Sequence, residues 1–80
     1  MSEEVIYGRL RSFISGRVSH QLADHESLLE TGEFDSLGLL ELVAFIEQEF
    51  GVRFEDEDLS SENFASIQTV AGFVLDRVRA

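Results

Sequence analysis

The chain has 80 residues, a formal net charge of −10 at pH 7, and neither cysteine nor proline. A chain of this length has room for one small hydrophobic core, so we expect residues 1–80 to form a single domain. The absence of cysteine excludes disulfides, thiolate metal sites and a reactive protein thiol. No signal-peptide pattern occurs, nor an apolar run of about 18 residues that could cross a bilayer. We therefore expect a monomeric cytoplasmic protein.

The charge is unevenly distributed along the chain. Residues 24–62 contain 13 carboxylates and one arginine, Arg53, which gives that stretch a formal charge of −12. The ends hold the other five arginines and three acids. An acidic surface repels nucleic acid phosphates and anionic lipids and attracts basic proteins. We therefore predict a protein partner and neither a nucleic acid nor a membrane partner, and the alternative is that the acids serve solubility alone.

Glu3 to Arg17 is predicted to form the first helix, because acids lie near its start and an arginine lies at its end. Tyr7 is expected to cover the edge of the core. The apolar residues that recur at helical spacing and should face the core are Ile6, Leu10, Phe13 and Ile14.

Residues 18–34 show no long helical period and predict an unusually long connection to the next helix. Ser27 and Glu30 have the spacing of a capping box, which indicates one short helical turn inside this loop. The side chains expected to fasten the loop to the core are Leu22, Leu28 and Leu29.

The second helix is predicted over residues 36–50. Asp35 precedes it as the expected N-cap, and Gly51 ends it because glycine enters the left-handed conformation without a Cβ penalty. One face of this helix explains its packing. The residues on that face are Leu39, Leu42, Val43, Ile46 and Phe50.

A second apolar strip lies on the same helix, centred about 140° from the core face. It consists of Leu37, Leu40 and Ala44. A small bundle does not need this strip, so we interpret it as a docking surface, although single exposed leucines are common on protein surfaces. The polar residues that flank the strip are Glu41, Glu47 and Gln48.

The remainder of the chain predicts an extended piece that returns Phe54 to the core, then two more helices. A short helix is expected from Ser60 or Ser61 through Ala65, with Leu59 and Phe64 turned inward. Ser66 opens the last helix. Its predicted core stripe is Ile67, Val70, Val74 and Val78.

Two polar patterns superficially resemble ion sites. His20 and His25 lie in the long loop, but a metal or catalytic site would need further ligands from the fold, so they receive no role. Glu55 to Asp58 lacks the alternating oxygen ligands and central glycine of an EF-hand loop. We interpret that run as a solvated loop or a loose divalent-ion site.

These motifs resemble the acyl and peptidyl carrier protein family, in its stand-alone form. Asp35-Ser36-Leu37 opens an acidic amphipathic helix, Leu28 to Gly32 precedes it, and Glu47 to Gly51 ends it. The likeness covers nearly the whole chain. It implies an all-α fold, a small four-helix bundle of three longer helices and a short third helix, with a long loop between helices 1 and 2.

The resemblance also implies a site. Ser36, between Asp35 and Leu37, would receive a 4′-phosphopantetheine arm from coenzyme A through a phosphopantetheinyl transferase, and the arm's thiol would hold an acyl group as a thioester. An acyl- or aminoacyl-loading ligase or transferase and condensing or tailoring enzymes would be the further partners. The positions that these partners would read are Leu37, Leu40, Glu41, Ala44 and Glu47.

Two other functional readings compete with the carrier. An enzyme would need a base beside Ser36 and a group to orient it, and the sequence has no Gly-x-Ser-x-Gly elbow, so we predict that the protein is not an enzyme. An acidic helical adaptor that binds a basic partner without carrying an arm is the second alternative.

Ala44 departs from the family pattern, in which a larger apolar side chain is common. Phe45 and the segment Leu59–Phe64 are more similar to carriers loaded by adenylating ligases than to the fatty-acid carrier.

Overall fold

Three α-helices make up most of the regular structure in the computed structural model. They are α1 (Glu3–Ser15), α2 (Ser36–Phe50) and α3 (Ile67–Arg79), and a 3₁₀ helix (Asp56–Asp58) lies between α2 and α3. The predicted all-α class is confirmed. None of these helices, within the part of the chain that is described, is long and apolar enough to cross a membrane.

The structure describes most of the chain but leaves short gaps, chiefly in the α1–α2 connection. At Ser36 and Arg79 it describes the backbone alone. Leu29, His20 and Ser61, which the sequence assigned to the loop and to the short third helix, lie outside the described residues. The described ranges are 2–18, 22–28, 30, 35–60 and 62–79.

The ends of α1 follow from local hydrogen bonding. Ser2 is the N-cap, and its Oγ accepts from the Val5 N–H at 3.3 Å. The helix ends at Ser15, two residues before the predicted end at Arg17. The reason is that the next N–H groups tighten into three-residue bonds: the Arg17 N–H donates to the Ile14 carbonyl at 2.8 Å, a 3₁₀ pattern that closes the last turn.

A reciprocal capping pair starts α3. The Ser66 Oγ accepts from the Thr69 N–H at 3.2 Å, and the Thr69 Oγ1 accepts from the Ser66 N–H at 2.9 Å. Ser66 is buried, so these bonds satisfy polar groups that water does not reach. The predicted role of Ser66 as the opening residue of the last helix is confirmed.

One hydrophobic cluster joins the three helices, and α3 packs mainly against α1 and more lightly against α2. The predicted core face of α1 is confirmed, with Phe13 and Tyr7 partly buried at its edge. The most deeply buried residues are Ile6, Leu10, Ile14, Leu28, Leu42, Ile46, Ile67, Val70, Ala71 and Val74.

The α1–α2 connection is fastened to the start of α3. Leu22 and Leu28 are buried, as predicted. The Leu28 N–H donates to the Ala65 carbonyl at 2.8 Å, so backbone bonding holds the loop as well as burial. Inside the loop, the Glu30 N–H donates to the Ser27 Oγ at 3.3 Å, which is half of the expected capping box.

Asp24 ties this connection to two helices at once. Its carbonyl accepts from the Gln68 N–H of α3 at 2.9 Å. Its carboxylate accepts from Arg11 of α1, Nε at 2.8 Å and the terminal nitrogen at 2.5 Å, a two-bond geometry that arginine favours. The hydrogen bonds from the Arg11 guanidinium lower the pKa of Asp24 below its ordinary value.

The segment between α2 and α3 differs most from the prediction. The short helix expected through Ala65 is a hydrogen-bonded turn over residues 62–64, and the helical turn lies earlier, at Asp56–Asp58. Asp58 is only 8 % exposed, so the acidic run is not simply a solvated loop. Its carboxylate accepts from Arg77 at 2.7 Å and from the Glu55 N–H at 2.9 Å, and these long-range and local bonds place the helical turn at Asp58.

Leu59 contradicts the prediction that it turns inward, because it is 48 % exposed. The inward position is taken by Asp58, whose partner Arg77 lies on α3. Phe64 is buried as predicted. Phe54 also returns to the core, where its ring stacks on those of Phe64 and Phe73 at centroid distances of 5.6 and 4.7 Å.

Two glycines make a matched test of this backbone. Gly8 lies exposed within α1, and a Cβ there would meet nothing within 4 Å, so Gly8→Ala should raise the free energy of unfolding by about 1 kcal/mol. Gly51 has φ 71°, so Gly51→Ala should lower it by about 1–2 kcal/mol. Urea denaturation of both variants measures the difference. Destabilisation by Gly8→Ala would contradict the assignment of that residue to an open helical surface.

Candidate functional site

The N-terminus of α2 is built by Asp35. This residue has extended backbone angles, φ −91° and ψ −168°, and its Oδ1 accepts from the Gly38 N–H at 3.0 Å. Its carbonyl accepts from the Leu39 N–H at 2.9 Å, which starts the helical ladder. Ser36 is therefore the first helical residue, and the first turn contains no acidic residue. The N-cap predicted from the sequence is confirmed.

The opposite end of α2 is closed as predicted. The Gly51 N–H donates to the Glu47 carbonyl at 3.1 Å, and Gly51 has the left-handed conformation. Between the two caps the helix has its two predicted faces. Leu42 and Ile46 are fully buried, whereas Leu37 and Leu40 are 65 % and 63 % exposed.

The exposed strip, which we define as Leu37, Leu40 and Ala44, is therefore open to solvent along its length. Its exposure follows from the rotation of α2, because the buried face occupies the opposite side of the helix. Such a strip begins one residue after Ser36 and runs away from it. An apolar surface of this kind can be covered only by another molecule or by a group attached nearby.

The carboxylates predicted to flank the strip have different environments. Glu41 is about 40 % exposed and pairs with Arg17, which lies two residues beyond the end of α1, with an N–O distance of 2.7 Å. The Glu47 Oε2 accepts from the Phe54 N–H at 2.9 Å, so this side chain also holds the segment that follows α2. Gln48 is exposed. Glu47 therefore has a structural contact that the sequence did not reveal.

The contact between α1 and α2 is ordered by a repeated four-residue spacing. Arg9 pairs with Glu49 at 2.9 Å, and the ring of Phe13 stacks on Phe45 with centroids 4.5 Å apart. The third contact is the Arg17–Glu41 pair. We call these three contacts the α1–α2 seam. From one contact to the next, the residue number rises by four on the side of α1 and falls by four along α2. The two helices are therefore antiparallel.

Arg17 is the residue beside the candidate site that sequence reasoning missed, because its position suggested only an interaction with the end of α1. The sequence nevertheless contained a pattern that predicts the contact of Arg17 with Glu41. Arg9, Phe13 and Arg17 stand at intervals of four, and the spacing of Glu41, Phe45 and Glu49 is identical with the opposite charge. Two such stripes pair when helices run antiparallel.

Within the described residues, neither His25 nor the acidic run joins the candidate site as a ligand, and His20 lies outside those residues. His25 is exposed. Within the described ranges, no group of three or more histidine, aspartate and glutamate side chains is placed to hold a metal ion. Asp58 is engaged with Arg77, and the neighbouring acids Glu55, Asp56 and Glu57 are exposed.

The fold is all-α, and its capped second helix starts at a serine and presents an apolar strip to solvent. These features define a class of small helical proteins in which the surface of one helix is exposed. Comparison with known proteins narrows that class. The family model described as a phosphopantetheine attachment site matches residues 14–74. An acyl carrier protein of Thermotoga maritima is 30% identical over 76 residues, which covers 91% of each chain. An acyl carrier protein of Thermosynechococcus vestitus is 28% identical over 83 aligned positions, which cover 100% of each chain.

The chain belongs to the phosphopantetheine-binding family of carrier proteins. Its cofactor is accordingly 4′-phosphopantetheine, which is attached covalently, and its role is that of a carrier. The family resemblance stated from the sequence is confirmed.

Truncations on the two faces of α2 should have different effects on stability. Ile46→Ala removes fully buried methyl groups and should cost about 2–5 kcal/mol of unfolding free energy. Leu40→Ala removes a side chain that is 63 % exposed and should change it by less than about 0.5 kcal/mol. Chemical denaturation compares them directly. A large loss in Leu40→Ala would place that residue in the core and reject the exposed strip.

The contact of Glu47 with Phe54 predicts a stability role for that glutamate. Glu47→Ala leaves the part-buried Phe54 N–H without its acceptor, which should cost about 1–2 kcal/mol. Gln48→Ala, one residue along and exposed, is the matched control and should be nearly neutral. Thermal melts of both variants test this. Equal melting temperatures would mean that the Glu47–Phe54 bond contributes nothing.

Proposed function

We propose that Ser36 bears the 4′-phosphopantetheine arm and that the loaded arm presents an acyl or aminoacyl thioester to biosynthetic enzymes. The observation that carries the proposal is the position of Ser36, the first residue of α2, directly after the capping Asp35. The match to the attachment-site family spans this position. The similar acyl carrier proteins support an acyl cargo.

The start of α2 fits a phosphodiester. Free backbone N–H groups and the positive end of the helix dipole favour an anion at a helix N-terminus. No acidic residue lies within the first turn of α2. The nearest carboxylate is that of the capping Asp35, which accepts from the Gly38 N–H. The exposure of Leu37 indicates that the chain leaves room beside the attachment point.

Most of the other serines that the structure describes are less suitable because their hydroxyls are hydrogen-bonded within the fold. The Ser66 Oγ is part of a buried capping pair. Ser15 donates to the Ser12 carbonyl at 3.0 Å. Ser12 lies on the exposed surface of α1, away from a helix start. The serines whose Oγ accepts from a backbone N–H three residues ahead are Ser2, Ser27, Ser60 and Ser66.

The partners proposed are a phosphopantetheinyl transferase, an acyl- or aminoacyl-loading ligase or transferase, and condensing or tailoring enzymes of fatty acid, polyketide or nonribosomal peptide type. The exposed strip would supply the apolar contact, and Glu41 and Glu47 the charge that attracts basic surfaces. The exposed strip has a small side chain at its last residue, Ala44. A partner that fits this chain therefore needs a larger side chain opposite Ala44.

The adaptor alternative uses the same strip without a covalent arm. It predicts binding to a basic protein that does not depend on the Ser36 hydroxyl. The carrier proposal predicts that a chain without the Ser36 hydroxyl can still dock but has lost every other function. The substitution Ser36→Ala therefore distinguishes the two proposals.

Modification of Ser36 has a simple chemical readout, because the chain has no cysteine and the arm would add its only thiol. After incubation with coenzyme A, magnesium and a broad-specificity phosphopantetheinyl transferase, the wild type should gain one arm by mass spectrometry and one thiol by maleimide labelling. Ser36→Ala should gain neither while its melting curve stays close to that of the wild type. Ser12→Ala is the matched control and should gain both. Modification of Ser36→Ala would reject the assignment.

A further inference from the structure

Glu41 is the carboxylate that lies closest along α2 to the centre of the exposed strip. It follows Leu40 directly and stands one helical turn from both Leu37 and Ala44. On a helical projection it falls between the exposed strip and Phe45, the aromatic residue of the seam. A partner that covers the strip therefore meets Glu41 at the edge of its contact.

Glu41 is not a free charge. Arg17 lies 2.7 Å from its carboxylate, and both side chains remain about 40 % exposed, with 38 % for Arg17 and 41 % for Glu41. The Arg17 guanidinium also lies over the ring of Phe13, 4.7 Å from its centroid. This second contact holds the cation at the seam and beside Glu41 even while the pair exchanges with water.

The other ion pair of the seam offers a contrast. Arg9 and Glu49 are paired at 2.9 Å with similar exposure, 44 % and 39 %. Glu49, however, lies about 140° around the helix from Ala44 and about 180° from Leu40. The two pairs share chemistry and flanking helices, but only the Arg17–Glu41 pair borders the exposed strip.

We propose that Arg17 sets the selectivity of the docking surface by competing with the partner's cations for Glu41. The inference rests on the proposed function, since it takes the partner to be a protein with a basic surface, such as the transferase that modifies Ser36. A lysine or arginine of that protein must share the Glu41 carboxylate with Arg17 or displace it. Partners are then selected more by their apolar fit to Leu37, Leu40 and Ala44 than by positive charge alone.

The physical basis is the balance of two similar charges at one carboxylate. An arginine already in contact with Glu41 cancels much of its field at the distances over which steering acts. It also occupies lone pairs that an incoming cation would use. Removing Arg17 should therefore speed association with a basic partner, chiefly at low salt, where surface charges are least screened.

The test compares Arg17→Gln with Arg9→Gln, which change the net charge by the same amount. The measurement is kcat/KM for modification by a broad-specificity phosphopantetheinyl transferase at about 20 mM and about 500 mM salt. Arg17→Gln should exceed Arg9→Gln by about two- to fivefold at low salt and by little at high salt. Arg17→Lys, which keeps the charge, should stay near the wild type. Melting curves check that each variant is folded.

A double variant separates pairing from simple proximity of charge. In the Glu41→Gln background, Arg17→Gln should no longer exceed Arg9→Gln, because there is no carboxylate to release and only the equal change in net charge remains. Equal rates for Arg17→Gln and Arg9→Gln in the wild-type background would overturn the competition. So would an excess of Arg17→Gln over Arg9→Gln that persists without Glu41. A wild-type chain that is not modified at all would reject the proposed function itself, and the inference with it, so the two failures are distinguishable.

Discussion

The rotation of α2 about its own axis is the constraint on which the surface depends, because it decides which apolar residues face water. Burial sets that rotation. Truncating a core residue such as Ile46 costs about 2–5 kcal/mol, whereas an aromatic pair such as Phe13–Phe45 contributes about 0.5–1.5 kcal/mol and an exposed ion pair about 0–1 kcal/mol. The core therefore fixes which face is inward, and the seam adds direction and register. Leu37 and Leu40 are exposed as a result.

The uneven charge of the sequence becomes a set of long-range contacts in the fold. Each ion pair found in the described residues joins an arginine of α1, of the turn just after α1 or of α3 to a carboxylate of the acidic middle of the chain. A terminal helix is thereby tied to α2, to the first loop or to the segment after α2. The pairs are Arg9–Glu49, Arg11–Asp24, Arg17–Glu41 and Arg77–Asp58. Most of the acids remain unneutralised, so the net charge still favours basic partners.

The features predicted correctly from the sequence are those that depend on near neighbours. The two caps of α2 follow from Asp35 and Gly51, and the exposure of Leu40 follows from helical period alone. The error at Leu59 and the missed contact of Arg17 depend on residues distant in sequence, whereas the earlier end of α1 has a local cause. Leu59 faces solvent because Arg77, on α3, draws Asp58 inward, and no local pattern around residue 58 contains that information. The Arg17–Glu41 pair is of the same kind, although the matching stripes of the two helices did encode it.

A carrier's cargo must survive between enzymes, and the composition of this chain bears on that requirement. A thioester reacts with a thiolate that reaches it, and thiolates are the strongest nucleophiles among ordinary side chains. Because this chain has no cysteine, none of its own side chains would offer a thioester cargo a thiolate acceptor. Under the proposed function, the timing of transfer would then depend on docking to a partner. The docking interface we propose is the exposed strip with Glu41 beside it, and the seam couples that interface to α1 as well as to α2.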